Sequence, residues 1–142
     1  MAGKTDTWAQ DFLKWVFNNV IPSYLGSGVT TLYVSLHTAD PGKTGNQSTS
    51  EVAYTGYARV AVARTTAGWT ISGPTPADEA QPVNNIDFPV ATAGTATATF
   101  AGIGTSATGA GNLLYTGAIA TPIVIATGVL PRLTPSSMVT ES

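Results

Sequence analysis

Hydrophobic positions along the chain change period once, near Gly26–Gly28. Before that point Trp8, Phe12, Trp15, Val16 and Val20 recur at spacings of three and four, which places them on one stripe of a helix. Thr5, Asp6 and Thr7 are candidate N-caps and Pro22 is a stop, so the pattern predicts a helix over 5–21. After Gly28 the period becomes two. Leu32, Val34 and Leu36 alternate with Thr31, Tyr33, Ser35 and His37, the signature of a half-buried strand. Asp40-Pro41-Gly42 makes a turn, and a long polar loop follows from Lys43 to Ala53. A loop of that length needs a purpose.

Alternation resumes at Tyr57–Arg64, with Val60 and Val62 on one face and Tyr57 and Arg59 on the other. Trp69-Thr70-Ile71 reads as a short strand and Gly73–Pro82, with its prolines, as a loop. Further strands are expected at Ile86–Phe88, Thr95–Gly104, Leu113–Ile119, Pro122–Ala126 and Val129–Leu133. The segment after Leu133 shows no period. About eight short strands, with turn signals roughly every 8–12 residues, predict an all-β sandwich or jelly roll with one N-terminal helix. At 142 residues the whole chain is expected to form one domain: a helix at 5–21, a sandwich over 29–133 and an irregular tail over 134–142.

Composition adds one constraint. Only 10% of residues are charged and the net charge is −2, against roughly 25% charged residues in an ordinary soluble domain. So neutral a surface suits a protein held in a larger assembly better than a free monomer. No basic stripe is present, so nucleic acid is not an expected partner. No apolar run reaches the ~18 residues of a membrane span, and Asp6, Gln10 and Asp11 interrupt any signal-peptide core. Synthesis in a host cytoplasm, with no membrane partner, is the expectation. The chain has no cysteine, which removes disulfide and thiolate chemistry.

Reactive constellations are thin. His37 is the only histidine, so neither a multi-histidine zinc site nor a Cys-His pair can form. It shares a strand face with Tyr33 and Ser35 and is expected to be a partly exposed polar residue. A Ser-His-Asp set with Asp40 would need a serine supplied by the fold, and no G-x-S-x-G elbow marks one. Asp78-Glu79 is the only adjacent acidic pair, placed in the Pro-rich loop, and Asp40, Glu51 and Asp78 match no calcium loop. Gly102-Ile103-Gly104 with Ala107 imitates a dinucleotide fingerprint, but Thr108-Gly109-Ala110-Gly111 follows it instead of a helix. Asn46-Gln47-Ser48 is a glycosylation sequon by letter only. No catalytic residue, cofactor or metal is therefore expected. Tyr54, Tyr57 and Arg59, grouped around Gly56, are either sheet-face packing or exposed interface anchors. The helix stripe likewise either caps an open end of the β-core or docks Trp8, Phe12 and Trp15 on a neighbouring subunit.

The ordered segments T-L-Y-V-S-L-H-T-A-D-P-G, Y-T-G-Y-A-R-V-A-V, N-N-I-D-F-P and F-A-G-I-G-T-S-A-T-G-A-G-N-L-L-Y-T-G-A-I run roughly from Leu32 to Ile125. Together with the helix, they resemble small virion proteins of tailed bacteriophages. The resemblance is to capsid cement (decoration) proteins, of the jelly-roll kind found in short-tailed phages such as the Bordetella phage. Some relatives carry tail-fibre or minor-tail labels. Such proteins usually end in G-D-x-L-x-F, where this chain has Gly128-Val129-Leu130-Pro131-Arg132-Leu133.

The resemblance implies a structural protein on the outer surface of the head that bridges neighbouring major capsid subunits against packaged-DNA pressure. The expected partners are the major capsid protein and a second copy of the chain, as a homodimer. Contacts are expected from Trp8, Phe12 and Trp15 on the helix, from Tyr54, Tyr57 and Arg59 beside the long loop, and from an arm holding Leu130, Arg132, Leu133 and Met138. The alternative is a tail-fibre or minor tail module that holds a host-surface glycan on Trp69 and Tyr57. An enzyme is the third possibility, and it lacks a constellation.

Overall fold

The computed structural model describes residues 3–73, 78–137 and 139–141. In chain order, β1 is Gly3–Lys4, α1 Asp6–Asn18, β2 Thr31–His37, β3 Val60–Ala63, β4 Trp69–Ser72 and β5 Asp78–Pro82. β6 is Ile86–Asp87, β7 Ala96–Gly104, β8 Leu113–Ile125, β9 Arg132–Leu133 and β10 Val139–Glu141, with a 3-10 turn at Ser23–Leu25. The strands form antiparallel sheets in the orders β1-β8-β7-β2-β3, β10-β5-β4 and β6-β9. The fold is all-β and sandwich-like with an N-terminal helix, as the alternation predicts.

The core gathers the inward positions of these sheets. Val34 faces Ile103 and Leu36 faces Ala101 across β2 and β7. Phe88, Tyr54, Ile125, Leu133 and Val139 close over them. β8 passes through Pro122, which cannot donate to a ladder. Ala98 faces Ile123 but Phe100 faces Ala118, so the register jumps where the proline sits. β1 pairs with β8 only at Tyr115 and Thr116, so no neighbour needs the missing donor on that side.

The helix begins where expected. The Thr5 hydroxyl accepts from Trp8 N at 3.4 Å and donates to Leu113 O at 2.6 Å, capping α1 and tying it to β8. It stops earlier than Pro22 implies, because Asn19 takes the left-handed conformation (φ 54°) and its amide bonds Lys14 O.

Other departures share one cause: pairing at a distance replaces local pattern. Asp78–Pro82 is a strand, not the end of a loop, because β4 and β10 flank it; residues 74–77 of the expected loop lie outside the described residues. The tail is not irregular either. Val139 opposes Ala80 in β10 and is buried. Tyr57 and Arg59 leave the ladder, and only Val60–Ala63 pairs with β2. His37, expected on a partly exposed face, is fully buried with Ser35. The long loop folds back over that face, with Thr38 N bonded to Ser50 O and Gln47 sealed beneath it.

Candidate functional site

The residues anticipated as contacts divide between the interior and the surface. Tyr54 is buried, and Tyr57 and Arg59 are half-buried. Tyr54 donates to Pro89 O at 2.8 Å and meets the Tyr57 ring edge-on at 5.4 Å. Tyr57 stacks on Phe88 at 6.3 Å. The Arg59 side chain is 3% exposed. Its Nε and Nη2 clamp Glu51 at 2.7 and 2.8 Å, and its Nη1 and Nη2 reach the carbonyls of Ser106 and Gly109 at 2.9 and 2.6 Å. Tyr57 Oη also donates to Glu51, at 2.8 Å. Burial raises the Tyr57 hydroxyl pKa, and the Glu51 hydrogen bond raises that of Arg59. This group locks the long loop onto the β7–β8 connection, which gives that loop its purpose. Its polar atoms are thus engaged within the chain.

The C-terminal arm is part interior and part surface. Leu133 is buried in the core, and Arg132 pairs with Asp87 across β9 and β6 at 2.5 and 2.9 Å. Leu130 is exposed, and Met138 lies outside the described residues.

Ser35 and His37 form a pair invisible in the sequence. Ser35 Oγ lies 2.8 Å from His37 Nε2, and His37 Nδ1 lies 2.8 Å from Thr49 O. A carbonyl can only accept, so Nδ1 carries the proton and Nε2 accepts from Ser35. Burial lowers the imidazole pKa. The third partner is a carbonyl where a triad has a carboxylate, and both side chains are at 0% exposure, out of reach of a substrate. Their geometry is that of a structural peg.

Among the described residues, the longest run of exposed apolar side chains lies on α1 and just beyond it. Its stripe splits: Trp8 is buried and meets Phe12 edge-on at 5.7 Å, whereas Trp15 is 45% exposed. Beyond Phe12 the segment is apolar on nearly every side. Leu13, Val16, Phe17 (78% exposed), Val20 and Ile21 all face outward. Of these, Leu13, Phe17 and Ile21 lie off the anticipated stripe. The signal for them was a segment with one charged residue, Lys14, between Phe12 and Phe17. Lys14 and Tyr24 both bond Asp11, at 3.1 and 2.6 Å. The Tyr24 bond, then that of Lys14, lowers the Asp11 carboxyl pKa. Arg64 fixes the turn that follows, bonding Leu25 O and Val29 O at 3.1 Å each.

Beside the helix, a groove of about 530 Å³ runs between the five-stranded and three-stranded sheets. Phe12, Leu32, Trp69, Ile71, Ile103 and Val139 line it, with Arg64 and Glu79 among its polar residues. Trp69 Nε1 is buried there with no hydrogen-bond partner.

Residues 3–140 match the family model described as podophage GP4 fiber I protein gp80. The chain belongs to that family. It is accordingly a structural protein of short-tailed phage virions, as the resemblance in its sequence implied at that level. No curated protein matches the chain. Among the described residues no helix is long and apolar enough to cross a membrane.

Proposed function

We propose that the chain is an adhesive, non-catalytic part of the virion, held in the particle through the end of α1. The apolar helix end carries this reading. A helix hydrophobic all round is at home when enveloped, and the apolar side chains from Phe12 to Ile21 stand in solvent in the isolated chain. The scarcity of charge points the same way, since a permanent interface tolerates a neutral surface that a free monomer does not.

The family's description as a fibre protein supports a place in a fibre. A second reading is cement on the outer face of the head, bridging major capsid subunits. The low charge favours it, because many modest contacts repeated over a lattice add up. Quantitative mass spectrometry of purified virions, with cryo-electron microscopy of the particle, separates the two. Few copies at the tail or fibre base support the fibre. Copy numbers comparable to the major capsid protein support cement. Absence from purified virions overturns both.

A further inference from the structure

We propose that the occupant of the groove is the α1 end of a second copy of this chain, so that the protein self-associates helix-into-groove. The inference rests on the reading of the helix end as an adhesive face and names its partner.

Size is the first support. Seven large apolar side chains are exposed between Phe12 and Ile21. Where a fully buried aromatic covers roughly 150–250 Å², these present on the order of 700 Å². That exceeds the ~300–600 Å² largest patch of a typical monomer and approaches the ~800 Å² per partner of a stable interface.

Complementarity is the second. The chain that carries the apolar knob also carries an apolar hole, and Phe12 belongs to both. A helix end seated in the groove covers both apolar surfaces.

Charge is the third. Lys14 is already paired with Asp11, and the whole chain carries only −2. Two copies therefore meet with little net repulsion. A membrane surface fits less well, because an interfacial helix depends on a lysine- and arginine-rich polar face and α1 has Lys14 alone.

Phe17→Asp removes the knob and Ile71→Asp spoils the hole. Ile71 is 74% exposed, so each change falls on a side chain the isolated fold hardly uses. Sedimentation of the intact chain over a concentration series should show self-association. Each variant should weaken it by about 100-fold or more, with circular dichroism and Tm unchanged. Phe17→Ser and Ile71→Ser repeat the test with milder changes if either aspartate perturbs folding. Mixing the knob and hole variants should restore a complex, because one intact seat remains between them. Association of the Ile71 variant at wild-type strength overturns groove seating. A wild-type chain that stays monomeric yet binds depleted virions overturns self-pairing and leaves the adhesive reading standing. A monomer that floats with phosphatidylcholine vesicles overturns it in favour of a membrane. A monomer that binds neither defeats both readings.

Discussion

Arg59→Met is the most informative single change in the β-core. The methionine keeps much of the aliphatic stem and deletes the guanidinium. Four hydrogen bonds then vanish, two to Glu51 and one each to the carbonyls of Ser106 and Gly109. Glu51, its side chain 16% exposed, is left with Tyr57 and no cation. Removing one partner of a buried ion pair costs about 3–5 kcal/mol, because an uncompensated charge stays behind. At about 4 °C per kcal/mol for a chain of this size, Tm should fall by roughly 10–20 °C. Arg59→Met combined with Glu51→Leu should recover part of that loss, since no orphan charge remains. Arg132→Ala is the control. Its pair with Asp87 is exposed on both sides, so Tm should not move measurably. Calorimetry on the four chains decides. An Arg59→Met chain within about 1 kcal/mol of wild type refutes the view that this clamp holds the long loop.

Trp8→Ala should destabilise by about 3–5 kcal/mol as a core truncation, whereas Trp15→Ala should leave Tm nearly unchanged and weaken particle binding; denaturant melts and virion pull-down separate the two effects. His37 has a folded pKa below its ordinary value of 6.5, so the unfolded chain binds the proton first. Its contribution is complete above about pH 6.5 and drains away as pH falls toward the folded pKa. His37→Gln should flatten Tm against pH in that window, where no other histidine titrates; an unchanged slope contradicts the buried neutral imidazole. Gly104→Ala would drive a methyl into the buried Gln47 side chain and should cost about 1–3 kcal/mol by overpacking, read from urea midpoints.

How much was legible depended on the range of the contacts involved. Residues Thr31–His37 alternate strictly in sequence, and β2 runs over those same positions, because a period of two is a local property of the backbone. A cap among Thr5, Asp6 and Thr7 was readable for the same reason, and Thr5 supplies it. The fate of His37 was not: alternation assigned its face, and only the loop folding back from Thr38 to Glu51 covered it. Tyr54, Tyr57 and Arg59 read equally as sheet-face packing or as interface anchors, because aromatic and arginine side chains serve surfaces and cores alike. Their fate turned on Glu51 and on the carbonyls of Ser106 and Gly109, far along the chain. On the helix, the stripe predicted one sticky face, but burial of Trp8 and exposure of Phe17 depend on where α1 leaves the β8 edge.

By itself the sequence determined an all-β, low-charge scaffold with an aromatic helix at its start, since period and composition are properties of neighbouring residues and of the whole count. Which aromatics became core, which stayed exposed, and that an apolar groove lies beside the exposed helix end, only the tertiary structure decided. Burial is a relation between distant segments, and no local pattern encodes which segment arrives to cover which face.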